Sequence, residues 1–221
     1  MEKLSPTDAF SATTPEAVEE YYDRWAETYD RDLVEKHDAH GHIQTADVCK
    51  DYLKTTDKIL VTGAGTGLEA MELRKLGFTQ LDGHDGSEKM LAVARRRRLF
   101  NSYVHEMLRP NEISTQLKSK HYDAVVNMGC FSPGCLNEHH LEALIAPVKT
   151  GGLLVLGTRE IFLRPLTEQL KATLNVEDYP YHLEKRLESL EKEGVLKRLD
   201  RRRFERYIDG YASVFFVFEV L

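Results

Sequence analysis

The chain has 221 residues, 42% hydrophobic and 30% charged, a balance that excludes disordered and collagen-like classes and supplies enough apolar surface for a core without metal or disulfide staples. Thirty Lys and Arg against 36 Asp and Glu give a formal charge of −6, unsuited to wrapping a nucleic-acid backbone. Met1 to Pro6 lacks a basic region followed by an apolar run, and the most apolar stretch, Tyr211 to Leu221, carries Glu219 and is too short to span a bilayer. A soluble, cytoplasmic protein without a membrane partner is the expectation. Cys49, Cys130 and Cys135 lack metal-site spacing, so neither a metal nor a disulfide framework is expected.

Residues 1–13 are small and polar and read as a disordered N-terminus. Thr14-Pro15-Glu16 is a helix start, with Thr14 as N-cap and Pro15 at the first helical position. Val18, Tyr22, Trp25 and Tyr29 then fall on one helical face, and a second helix is predicted over Ile43 to Leu53. Residues 14–55 thus form a helical cover preceding the main fold over 56–221, the whole making one domain.

From Asp57 short apolar runs alternate with helical patterns. Strands are predicted at Lys58–Thr62, Thr79–His84, Tyr103–Met107, Tyr122–Asn127 and Gly152–Gly157, with helices at Leu68–Leu76, Ser87–Leu99 and Leu141–Val148. This alternation predicts βαβ units with right-handed crossovers and a mostly parallel sheet. A charged helix follows over Tyr181–Glu193, with Leu183, Leu187 and Leu190 on one face. Asp209-Gly210 between the runs Val195–Tyr207 and Ser213–Val220 signals a hairpin that closes one sheet edge with antiparallel pairing.

The first strand runs into Gly63-Ala64-Gly65-Thr66-Gly67. Glycines let a ligand approach the main chain, and the following helix N-terminus offers unpaired N–H groups. The turn suits a carboxylate, phosphate or nucleoside. Leu68 occupies the place of the dinucleotide fingerprint's third glycine, which weighs against NAD. Asp85 follows the second strand in Gly83-His84-Asp85-Gly86-Ser87. In an open parallel sheet that position lies beside the glycine turn, where a carboxylate can accept both hydroxyls of a ribose. Ser87 is the candidate cap of the next helix, leaving Asp85 for the ligand.

Together Trp25 to Asp30, Gly63 to Gly67, Asp85 to Leu91, Tyr122 to Val126 and Gly151 to Leu154 resemble the class I S-adenosylmethionine-dependent methyltransferases, and within them the Williams–Beuren syndrome region methyltransferase-like proteins. The resemblance implies a Rossmann-like α/β fold with a seven-stranded, mostly parallel sheet, an antiparallel C-terminal strand and S-adenosyl-L-methionine as cofactor. It further implies that Gly63, Ala64, Gly65, Thr66 and Gly67 hold the methionine moiety and that Asp85, with Gly86 and Ser87, meets the ribose. Met90, Glu106 and Met107 would enclose the adenine, Asn127, Met128 and Gly129 would lie beneath the reactive end, and Tyr29 would belong to the cover.

Val61 stands where the family usually has an acidic residue, which should weaken support for the cofactor's ammonium group. A cofactor-binding relative that no longer transfers methyl groups is therefore one alternative, and an NAD-dependent oxidoreductase another. Asn127-Met128-Gly129-Cys130 replaces the Asn-Pro-Pro-Tyr type of amino-methylating motif, which points to a small-molecule acceptor first, a protein side chain second, and no nucleic acid. Arg95 to Arg98 and Arg201 to Arg203 read as solvated faces, His139-His140 as a helix start, and Cys130 as a thiol that no neighbour in sequence activates.

Overall fold

The computed structural model of the chain describes residues 4–118, 121–176, 179 and 181–221. Seven strands, β1 (Ile59–Thr62), β2 (Leu81–Asp85), β3 (Ser102–His105), β4 (Tyr122–Met128), β5 (Val148–Arg159), β6 (Leu196–Ile208) and β7 (Tyr211–Val220), make one sheet in the order β3-β2-β1-β4-β5-β7-β6. Strands β1 to β5 pair in parallel, and β7 runs antiparallel to both its neighbours. This is the expected fold class, with its reversed C-terminal strand. Asp209 and Gly210 both adopt positive φ, as the tight β6–β7 turn requires.

The central strands read as unbroken apolar runs because helices cover both faces. Val61, Val126, Val155, Phe215 and Val217 face one layer, where they meet Val48 and Cys49 of helix α2 (Gly41–Tyr52), Ala70 and Leu73 of α3 (Leu68–Lys75), and Leu91 and Ala94 of α4 (Glu88–Arg96). Their neighbours Leu60, Val125, Leu154, Phe216 and Phe218 face the other layer, against α5 (Leu141–Ile145) and the Leu183, Leu187 and Leu190 stripe of α7 (Leu183–Lys192). Each such fully buried side chain contributes about 1.5–3 kcal/mol.

The N-terminal helix α1 (Pro15–Trp25) begins as predicted, with the Thr14 hydroxyl accepting from Ala17 N. The aromatic stripe does not stay on one helix. The chain turns after Trp25, resumes at Tyr29–Arg31 and continues as a π-helical segment, Asp32–Lys36. The expected disorder of residues 1–13 is corrected within its described part, residues 4–13. Asp8–Ser11 forms a 3₁₀ turn, Phe10 is buried edge-on against Phe162, and the Tyr21 hydroxyl donates to Ser5 O at 2.7 Å. The physical reason is the apolar pair Ala9 and Phe10, which the polar surroundings obscure in sequence. Strand boundaries also move. β3 stops at His105, and β5 extends from 148 to 159 because β4 and β7 pair with it on both sides. Helix α6 (Glu168–Leu174) and a single turn at Thr115–Lys118 carry no clear period in sequence.

Candidate functional site

At the carboxyl ends of β1, β2 and β4 the chain builds a polar floor. Gly63, Gly65 and Gly67 all have positive φ, the conformation that favours glycine. A side chain at Gly63 would collide with the Cys130 sulfur, whereas a Cβ at Gly65 would meet nothing within 4 Å, so the backbone there is open to a ligand. Asp85 fixes this turn. Its Oδ2 accepts from Gly65 N and its Oδ1 from Ser87 N, both at 2.8 Å. Asp85 is thus engaged with the main chain rather than wholly free, yet a carboxylate accepts about four hydrogen bonds and two positions remain. Burial pushes its acidity toward higher pH, against the two N–H groups that favour the charged form. Ser87 is the helix cap as expected, accepting from Met90 N at 3.1 Å.

The cover is fastened to this floor by carboxylates. Ser87 Oγ donates to Asp23 at 2.6 Å, Thr66 Oγ1 donates to Asp30, and Arg97 pairs with Asp30 at 2.6 Å. Inside the cover Trp25 is fully buried, with Tyr29 edge-on at 4.7 Å and Tyr22 stacked at 6.3 Å. The Trp25 indole N–H and the Thr28 hydroxyl both donate to buried Asp32, which also pairs with Lys36 at 2.6 Å. Burial opposes ionisation of Asp32, but these partners outweigh it and hold its carboxyl well below the usual range.

Floor and cover line a cavity of about 890 Å³. Of the residues expected at the site, Tyr29, Gly63, Ala64, Gly65, Thr66, Asp85, Gly86, Ser87, Met90, Glu106, Met107, Met128 and Gly129 line it. Gly67 does not; it caps α3 and packs toward Leu99. Asn127 does not either. It is 1% exposed, beneath the floor, where its amide donates to Thr62 O at 3.0 Å and Thr62 Oγ1 at 3.1 Å. Glu106 is turned aside to accept from the Ser114 hydroxyl, and Met107 lies against Gly86. Val61 is 2% exposed within the apolar core and is not among the lining residues, so the position that usually bears an acid is here a packing position.

Further residues line the cavity. Glu69, in the first turn of α3, is pushed up to about 7, by burial first and by the Asp30 and Asp85 carboxylates after it. His84 is 2% exposed with neither ring nitrogen hydrogen-bonded, and burial pushes it down to about 4, so the ring is neutral at pH 7. Burial pushes the Cys130 thiol up, which leaves it protonated and a poor nucleophile. Tyr207, from β6, reaches over Gly129, and burial pushes its phenol up to about 12. Arg159 ends β5 at the far side of the cavity. Period and spacing do not single out Tyr207 and Arg159, because the fold brings them to the cavity from distant segments.

The arginine clusters are neutralised at the surface. Arg95 pairs with Glu88, Arg96 with Glu27, Arg201 with Glu184, Arg202 with Asp51 and Arg203 with Glu160. Among the described residues no group of three or more His, Cys, Asp or Glu could hold a metal ion, and no helix is long and apolar enough to cross a membrane.

Sheet order, reversed β7, glycine turn and strand-end carboxylate together define a class I methyltransferase fold, and residues 60–156 match the model of a family described as a methyltransferase domain. Residues 60–156 thus resemble a methyltransferase domain, and the sheet has the fold of the class I S-adenosylmethionine-dependent methyltransferases. It is 33% identical over 146 residues to human methyltransferase-like protein 27, a match covering 63% of this chain and 56% of that protein, so it spans little more than half the relative's length. Two solved structures share the fold at 17% identity. One is a chain of the Haloferax volcanii complex between the Trm112 methyltransferase activator and a methyltransferase, with a TM-score of 0.63 over 90% of this chain and 97% of that one. The other is magnesium protoporphyrin IX methyltransferase from Synechocystis PCC 6803 with bound S-adenosylhomocysteine, with a TM-score of 0.62 over 94% and 100%.

Proposed function

We propose that the cavity binds S-adenosyl-L-methionine and that the chain transfers its methyl group to a small-molecule acceptor held beneath the cover. The observation that carries this reading is the continuity of one cavity, from the open backbone at Gly65 and the Asp85 carboxylate to the recess beside Gly129. When bound, the cofactor supplies a methyl group already activated by the positive sulfur. The protein's work is then placement and exclusion of water.

In this reading the glycine turn receives the methionine end, and the two remaining acceptor positions of Asp85 receive the ribose. Met90 and Met107 flank the adenine with apolar surface, and Glu106 stands at the rim. Gly129 lets the Tyr207 hydroxyl close over the backbone beside the reacting group, where a Cβ would come within 2.6 Å of it. Glu69, which pairs with no cation among the described residues and stands beside the turn, is the carboxylate positioned to meet a cation, in place of the acid absent at position 61. Trp25, Tyr22 and Tyr29 close the cavity to water. A cavity partly roofed by the cover favours a small acceptor over a protein side chain.

The experiment is a melting series with S-adenosylhomocysteine, S-adenosylmethionine and NAD. A ligand bound only by the native state stabilises it by about 2.7 kcal/mol at a hundredfold excess over Kd. The two sulfur ligands should raise Tm and NAD should not. A shift with NAD alone would replace this reading with an oxidoreductase.

A further inference from the structure

The cavity has a second half that the cofactor reading leaves unassigned. Arg159 is 6% exposed and lines it. An arginine is always protonated, and a buried cation without a counter-ion is costly. Yet no carboxylate pairs with Arg159 among the described residues, and its buried Nη1 has no hydrogen-bond partner. The adjacent Glu160 is taken by Arg203 at 3.0 Å and by Arg164 at 3.4 Å. What surrounds the guanidinium is aromatic: its carbon lies 5.4 Å from the Phe10 ring centroid, 5.8 Å from Phe162 and 6.0 Å from Tyr207. Ring faces offset part of the lost hydration, but they accept no strong hydrogen bond.

The place of this charge matters as much as its isolation. Tyr207 touches Arg159 on one side and overhangs Gly129 on the other, so the cation stands one aromatic ring away from the proposed reaction zone. Phe10 comes from the N-terminal 3₁₀ turn and Phe162 from the segment after β5, so the recess exists only when cover and sheet are assembled.

We propose that this recess is an anion subsite, so that the methyl acceptor is an organic acid: a carboxylate or phosphate on an apolar, planar body, with the oxyanion on Arg159 and the body against the aromatic rings. Arg159 is then the residue that determines acceptor specificity. The proposal rests on the cofactor and acceptor reading of the cavity. A guanidinium presents paired N–H donors to either oxyanion, and charge-assisted bonds of this kind are the strong ones.

The test uses the full chain saturated with S-adenosylhomocysteine, so that failure of the cofactor reading shows first as failure to saturate. Benzoate, phenyl phosphate and the neutral isostere benzamide are then titrated by calorimetry. At least one anion should bind about tenfold or more tightly than benzamide, the scale of one charge-assisted hydrogen bond. The tighter of the two identifies the acid. Arg159→Met should abolish the preference while S-adenosylhomocysteine affinity is kept, and Arg159→Lys should retain part of it. Equal binding of all three probes by the wild-type chain, or a preference that survives in Arg159→Met, would overturn the proposal and leave Arg159 as a packing residue of the aromatic cage. If Arg159→Met fails to fold, the conservative Arg159→Lys decides the matter, since an anion preference unchanged from the wild type in that variant would equally overturn the assignment to Arg159.

Discussion

The two halves of the cavity are built on opposite plans. The half at β1, β2 and α3 is main chain: glycines with positive φ, open N–H groups and one carboxylate that ties the turn together. The half at β4, β5 and β6 is side chain: aromatic rings from three separate segments around a cation that no carboxylate pairs with among the described residues. A backbone surface changes little when residues change, so it suits a ligand shared by many relatives. A side-chain surface can be rebuilt residue by residue, and it suits the ligand that differs.

If this division holds, substitutions in the core, in the cover and at the floor should have separable effects. The largest is expected for Val61→Asp. The position is 2% exposed among apolar side chains, so the new carboxyl must stay neutral or unfold the strand. With a shift of about 3–5 pKa units for a fully buried acid, the loss should be about 4 kcal/mol or more at pH 7, read by urea denaturation. A stable variant with tighter S-adenosylhomocysteine binding would show instead that the site keeps room for an acid there.

Trp25→Ala comes next. Removal of a buried indole costs about 3 kcal/mol or more, but this one belongs to a satellite cluster with Tyr21, Tyr22 and Tyr29 rather than to the sheet's core. Hydrogen exchange should quicken over Pro15–Lys36 while the amides of β1 and β4 stay protected. Equal deprotection of the central strands would mean that cover and sheet unfold as one unit.

Glu69→Gln should have the smallest effect and a pH signature. The folded protein holds this proton up to about pH 7, whereas an unfolded glutamate releases it near 4.5, so folding loses stability as pH rises between the two values. The variant should therefore melt higher than the wild type at pH 8 and differ little at pH 4. Affinity for S-adenosylhomocysteine, whose amine is cationic, should rise from pH 6 to pH 8 in the wild type and stay flat in Glu69→Gln. A flat profile in both would remove Glu69 from the site.

The same contrast explains how much was legible in the sequence. The strand–turn–helix order, the Gly63–Gly67 turn, Asp85, the Ser87 cap and the Asp209-Gly210 hairpin are local patterns, each set by neighbours within a few residues. The far half is not local. Phe10, Arg159 and Tyr207 meet only because β5 runs on past residue 157 and β6 folds back beside β7, and neither extent is encoded by a period. Asn127 shows the converse limit: it lies near the end of β4, but a two-residue alternation decides that its side chain points beneath the floor. Val61 likewise lies on the core face of β1, which its position before the glycines does not reveal.

The central claim is that Asp85 and the glycine turn form the cofactor floor, and a calorimetric titration of S-adenosylhomocysteine into the wild-type chain and Asp85→Ala tests it most directly. The wild type should bind one ligand per chain. The variant loses two charge-assisted acceptors as well as the bond that sets Gly65, so its affinity should fall by about tenfold or more while the fold survives. Equal affinities in the two proteins, or no binding heat with the folded wild type at millimolar ligand, would contradict the account.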